Sequence, residues 1–318
     1  MREGQFIKQN IERWKSYEKP TEDPDEVAKR FTYLVDDLAY AKTYYPFSNT
    51  VKFINSLASA IYLSIYRNKK EKSSKFRLFF ARELPLSIRR HHRTFLFALL
   101  FFLAFMGIGI FSAWQDQDFV RGVLGDEYVD MTERNIARGD PFAVYKDSGQ
   151  LYMFVRIAFN NIFVSLMLFA SGLMVSVGTL YYLFRNAMML GVFEQMFFHH
   201  GLGVQSILVV FIHGTLEISA LVIAGAAGLV LGNSILFPKT YTRLQSFRRA
   251  AFDAMKIMLC LVPVFIVAAF FESYVTRHTG MPVWMSVLIL SGSLWFILWY
   301  FVYYPIKVSR RVHEEAIA

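Results

Sequence analysis

Charge is scarce in this chain and cysteine almost absent. Only 19% of its 318 residues are Asp, Glu, Lys or Arg, against about 25% in a typical soluble domain. The single cysteine, Cys260, excludes a disulfide within the chain and a cysteine-based zinc site. There is no HExxH and no serine–histidine pair in a recognisable catalytic context. There is also no phosphate-binding glycine loop: Gly225, Gly228 and Gly232 lie inside an apolar run, not after a strand. Catalysis is therefore not expected, and no cofactor. Residues 1–30 are strongly charged and lack an apolar segment, so no cleavable leader is expected there.

What the chain has instead is apolar residues, 55% of the total, with 17% aromatic. They come in long blocks. Thr94 to Trp114 and Val283 to Tyr304 contain no formal charge, and about 20 such residues span a hydrocarbon core of roughly 30 Å. The fold class is all-α, a polytopic transmembrane bundle of about six spans behind an N-terminal helical cytoplasmic domain.

The formal net charge of +9 follows the spans. Residues 67–93 hold ten Lys or Arg against two Glu, directly before the first apolar run, whereas residues 115–150 hold eight acids against four bases. Residues 237–256 carry Lys239, Arg243, Arg248, Arg249 and Lys256 against Asp253. Basic segments beside spans mark the cytoplasmic side, so both termini are placed inside and residues 115–150 form a polar outer loop. Basic residues hugging membrane ends do not make a nucleic-acid groove, and no nucleic acid is expected as a partner. The expected spans are Thr94–Trp114, one within Ile157–Phe184, one from about Ala187 to His199, one within Val204–Leu236, one at about Ile257–Phe271, and Val283–Tyr304. The third is short, and a re-entrant half-helix over 187–203 is an alternative.

The expected domains are 1–93 (cytoplasmic and interfacial), 94–304 (membrane bundle) and 305–318 (cytoplasmic tail). In the first, Phe6, Ile7, Ile11 and Trp14 share one helical face. Val27, Phe31, Leu34, Val35 and Leu38 share another, and a third helix over Thr50–Tyr66 turns Val51, Ile54, Leu57 and Ile61 inward. Thr21 and Asp25, around Pro24, suit a helix start. Phe76–Phe80, flanked by basic residues and ended by Pro85, suit the headgroup layer.

Polar groups within the apolar runs each demand a reason, since an unpaired one in lipid costs several kcal/mol. They are Asn160, Asn161, Glu194, His213, Glu217 and Glu272, with Asn186 and His199/His200 at boundaries. His213 and Glu217 are four apart, hence on one face. Ala220, Ala224, Gly228 and Gly232 continue that face as small residues of the kind that let helices approach closely. Three uses remain open: hydrogen bonds that set helix register, an ion or proton pathway, and a metal site drawing on His199, His200, His213, Glu194 and Glu217. HxxxE alone is a weak metal signal.

The run His213-Gly214-Thr215-Leu216-Glu217-Ile218-Ser219-Ala220, with Ile223-Ala224-Gly225-Ala226-Ala227-Gly228 after it, resembles the stage II sporulation protein M family. So do Asn160-Asn161 followed by Gly172, Asn186 and Gly191, and Ala268-Ala269-Phe270-Phe271-Glu272. Tyr44-Tyr45-Pro46, Asn55-Ser56-Leu57 and Ile65-Tyr66 are similar to its longer, non-sporulation branch. The resemblance implies a non-enzymatic scaffold in the bacterial inner membrane that assembles with itself, as a homodimer or other homo-oligomer, and with other envelope proteins. The alternatives are a small ion or solute transporter using His213 and Glu217, and an intramembrane metal-dependent hydrolase. A dry, fully paired core favours the scaffold. A polar cavity at Glu217 favours transport, and a tetrahedral ligand set favours the enzyme.

Overall fold

The computed structural model describes residues 1–21, 23–66, 74–145, 149–277 and 280–317. The basic run Arg67–Lys72 and the middle of the Arg277–Pro282 turn fall outside them. The described residues form helices and no strand, in two compact units, Met1–Lys75 and Phe76–Ala318.

The first unit is three helices, α1 (Glu3–Tyr17), α2 (Pro24–Tyr44) and α3 (Asn49–Tyr66). Pro24 sits in the first turn of α2, where a missing N–H costs nothing, and the Asp23 carboxylate caps the helix by accepting from the Asp25 amide. The core comprises Phe6, Trp14, Leu34, Ala41, Ile54 and Ala58, with Ile7, Ile11, Leu38, Val51, Leu57 and Ile61 packed around it. Asp37 accepts from Trp14 Nε1 at 2.7 Å and from Arg13 at 2.6 Å, so the indole enters the core with its donor satisfied. Val35, assigned to the inner face from sequence, is 43% exposed. Leu34, Leu38 and Ala41 make the inner stripe, and Val35 lies a sixth of the helix circumference or more away from it.

In the second unit a short α4 (Ser74–Leu78) leads through a π-helical turn, Phe79–Glu83, into α5 (Leu84–Arg90). Pro85 does not end this segment, because it falls in the first turn of α5. Residues 76–93 therefore belong with the bundle and not with the N-terminal unit. Leu84, Pro85, Ser87 and Ile88 are buried, and Lys256 reaches Glu83 at 2.7 Å.

Among the described residues, five helical stretches are long and apolar enough to cross a membrane. They are α6 (His92–Gln115), α9 (Gln150–Ala170) with the turn to Leu173, α11 (Gly203–Leu236), α12 (Arg243–Phe270) continued to Thr276, and α13 (Val283–Leu298) continued into α14 (Tyr304–Ile317). A sixth long helix, α10 (Val177–His199), carries Arg185 and Glu194 and is less apolar. At 1.5 Å per residue it is still roughly 34 Å long.

The uncharged run 157–184 is not one span: it breaks after Ala170, and Val175 and Ser176 take left-handed backbone angles (φ 56° and 70°) before α10 begins. Hydropathy cannot see a turn made of apolar residues. The expected short span from Ala187 is thus the second half of a full-length helix, not a re-entrant half-helix. Likewise the basic stretch from Arg243 is helical, so α12 starts well before Ile257.

The expected polar loop 115–150 is also mostly helical, with α7 (Gln117–Leu124) and α8 (Asp126–Ala137). Val120, Val129 and Phe142 pack onto Ala113, Val192, Phe197 and Val210 at the ends of α6, α10 and α11. Phe142 stacks on Phe197 with ring centres 5.3 Å apart. Arg121 of α7 meets Asp130 at 2.7 Å and, more loosely, Asp126 and Glu133 of α8. Residues 305–317 of the expected tail belong to α14, which packs against α5, and Tyr304 Oη donates to the Ala81 carbonyl at 3.0 Å.

The middle of the bundle is α11, buried on nearly all sides. Close helix crossings surround it. A Cβ added at Gly228 would lie 2.6 Å from Thr179 Oγ1 and 2.9 Å from the Leu168 carbonyl oxygen, and one at Gly172 would fall on the carbonyl of Gly228. α6 and α10 are equally tight, a Cβ at Gly109 meeting the Met188 carbonyl at 2.9 Å. Lipid offers little hydrophobic drive for helices to associate, so such backbone approach is what holds them.

Candidate functional site

Halfway along α11 the i, i+4 spacing stacks His213 over Glu217. Beside them the regular winding of α12 gives way to a π-helical turn, Phe271–Thr276, bringing Glu272 and Thr276 to the same histidine. Such turns recur at functional sites. His213 Nδ1 lies 3.0 Å from Thr276 Oγ1, and its Nε2 lies 3.9 Å from Glu272 Oε2. One ligand atom each from His213, Glu217 and Glu272 falls within 4.8 Å of the others.

Glu217 also faces a second feature, a cavity of about 650 Å³ lined by Asn160 and Asn161 of α9, Tyr182, Arg185 and Asn186 of α10, and Phe119 and Val123 of α7. Asn186 donates to the Tyr182 carbonyl at 2.8 Å, and Asn160 donates weakly to Asn161 at 3.4 Å. The Asn161 amide nitrogen is buried without a well-aligned hydrogen bond, although the side chain lies next to the Glu217 carboxylate.

Of the residues singled out in the sequence, His213, Glu217, Glu272, Asn160, Asn161 and Asn186 thus line one continuous polar region. Glu194 does not. It is 7% exposed among the apolar groups of α10 and α11, with neither carboxylate oxygen hydrogen-bonded, near a Ser206 hydroxyl that also lacks a partner. His199 and His200 lie exposed at the α10–α11 turn, and His200 Nδ1 bonds the Met196 carbonyl, so neither joins His213. Ala220 and Ala224 are fully buried, and Gly228 and Gly232 lie against the Leu168–Thr179 segment.

Two features were missed from sequence. Thr276 had no motif to mark it. Asp253 is the one acid of the basic 237–256 stretch, and it binds Ser87 Oγ at 3.0 Å, Arg90 at 2.6 Å and His91 Nε2 at 3.1 Å. A lone carboxylate among cations was the available signal.

The class these observations define is an all-α polytopic membrane protein with an ionisable cluster and polar cavity inside the bundle. Residues 98–277 match the family described as Stage II sporulation protein M, which takes in α6 to α12 and every residue of the cluster; the chain belongs to that family. Residues 4–67, the three-helix unit, match a second family described as a domain of unknown function (DUF8413). No curated protein and no solved structure matches the chain.

Proposed function

We propose that this protein is a non-enzymatic scaffold of the bacterial inner membrane, tying envelope proteins together around a rigid bundle and forming a homo-oligomer. The observation that carries the reading is the pairing of a close-packed membrane bundle with a separate three-helix unit that leaves aromatic side chains bare. Tyr44, the last residue of α2, is 61% exposed, and Phe47 in the α2–α3 connection is 98% exposed. Family membership supports the same reading. Isolation from native membranes in mild detergent tests it. The protein should run in native gels within a larger assembly of defined partners, and Tyr44→Ser/Phe47→Ser should release those partners without lowering yield. A 36.9 kDa chain that migrates alone, or partners retained by the double variant, would count against it.

The polar cavity at Glu217 favours a second reading, passage of an ion or small solute through the bundle. In reconstituted vesicles that reading requires Glu217→Gln to abolish a measurable flux while the fold persists. No flux in the wild type removes it.

Both readings use the same topology: six crossings by α6, α9, α10, α11, α12 and α13, with N and C termini cytoplasmic. In a Cys260→Ala background, Glu127→Cys should react with an impermeant thiol reagent on intact cells, and Gln245→Cys only after permeabilisation. Both side chains are exposed, so access is decided by sidedness alone, and labelling of residue 245 from outside would overturn the topology.

A further inference from the structure

We infer that His213, Glu217 and Glu272 form a binding site for one divalent transition-metal ion of the zinc type, its open position facing the polar cavity. The inference is separate from the scaffold reading and holds whether or not anything crosses the bundle.

The donor set is the first argument. One imidazole and two carboxylates make three protein ligands, the number that leaves a zinc ion a vacant fourth position. Imidazole favours zinc and its neighbours over magnesium and calcium, which prefer all-oxygen shells.

Geometry is the second. At 3.9 Å, His213 Nε2 and Glu272 Oε2 are too far apart for a hydrogen bond. Two ligands bound at about 2.0–2.1 Å to a tetrahedral ion stand about 3.4 Å apart, so closing on an ion moves this pair by roughly half an ångström. His213 Nδ1 lies 3.0 Å from Thr276 Oγ1, within hydrogen-bond reach, a contact that orients the ring and turns Nε2 toward the carboxylates. That is the outer-shell support metal-binding histidines usually have.

Charge is the third. Glu217 and Glu272 each bring a carboxylate oxygen within 4.8 Å of the other and of a His213 ring nitrogen. Two carboxylates facing each other in a membrane interior need a proton or a cation between them. The fourth argument is the lining beside Glu217. The buried Asn161 amide nitrogen lies beside the Glu217 carboxylate without a well-aligned hydrogen bond, and a cavity of about 650 Å³ adjoins it. An amide donor there suits a water or anionic ligand completing the ion's shell.

The test uses the full chain, purified with a tag free of histidine, stripped with chelator and titrated with Zn²⁺. About one ion per chain should bind, the number one cluster can hold, and millimolar Mg²⁺ or Ca²⁺ should not displace it. Glu272→Gln should weaken binding by more than ~100-fold, since even outer-shell partners are worth about 10–100-fold. Glu194→Gln, outside the cluster, should leave it unchanged. Co²⁺ in the wild type should give the spectrum of a site with one nitrogen and oxygen ligands, which keeps the proposal testable if Glu272→Gln does not fold. No zinc uptake by the wild type, or uptake that Glu272→Gln leaves intact, overturns it and leaves a proton shared by the two carboxylates. Neither result bears on native-gel assembly, so the two proposals fail separately.

Discussion

Gly228→Leu is expected to leave almost no monodisperse protein in detergent, while Gly107→Leu gives wild-type yield and thermal stability. Both replace a helical glycine within the membrane by the same side chain, so propensity and hydropathy predict equal outcomes. The structure separates them. Even a Cβ at Gly228 lands 2.9 Å from the Leu168 carbonyl oxygen and 2.6 Å from Thr179 Oγ1, whereas one at Gly107 meets nothing within 4 Å. Overpacking costs about 1–3 kcal/mol where side chains can yield. Here part of the obstacle is backbone, so the loss should exceed ~3 kcal/mol, a large share of the total for most proteins. Gly172→Ala should fail for the same reason, since its Cβ falls on the carbonyl of Gly228. Size-exclusion profiles and melting temperatures in one detergent decide it. Similar behaviour of residues 228 and 107 would mean the crossing of α11 with the α9–α10 turn is wrong. Val222 is no substitute control: although about opposite the Ala220–Gly232 stripe on α11, it is only 7% exposed.

Asp253→Ala should destabilise the bundle by about 1–3 kcal/mol, the scale for leaving a buried hydrogen-bonding group such as Ser87 without its partner. Asp253 is 7% exposed and accepts from Ser87, Arg90 and His91. Ser87 is 3% exposed and cannot turn to water when the carboxylate is removed. Asp253→Asn, which keeps one acceptor oxygen, should lose less. Arg82→Ala makes the contrast. Its pair with Glu315 spans 3.3 Å between side chains 51% and 65% exposed, and such pairs contribute about 0–1 kcal/mol. Melting temperatures for the three variants, with protease sensitivity of residues 76–93, measure both. If Asp253→Ala melts with Arg82→Ala, the α5–α12 clasp does not hold the bundle together.

That clasp shows where sequence reading loses sight of the fold. Residues 76–93 looked interfacial because bulky apolar and basic residues alternate there. Their partners, Asp253, Lys256, Tyr300 and Tyr304, lie 160 or more positions downstream, and no local pattern encodes such a contact. The 115–150 segment was read as a loop for a related reason. Its apolar residues, such as Val120, Val129 and Phe142, are few, and only their meeting with Phe197 and Val210 makes them a core. The functional region divides the same way. His213 and Glu217 were legible together because four positions along a helix is one turn. Glu272 was visible alone, as an acid in an apolar run, but that it shares a site with His213 depends on the π-helical turn of α12, which nothing in residues 271–276 announces.

By itself the sequence determined that this chain is an all-α membrane protein of the stage II sporulation protein M family, with buried acids and a histidine in its apolar helices. Uncharged runs of about 20 residues suit lipid, and at that length a helix satisfies its own backbone there, where barrel strands are only about half as long. The tertiary structure decided where the 157–184 run breaks, which glycines bear crossings, and which buried polar groups meet. Hydropathy sums along the chain, while these outcomes depend on distances between helices. In a bundle held by close helix crossings, those distances are set by which backbones can come within van der Waals contact.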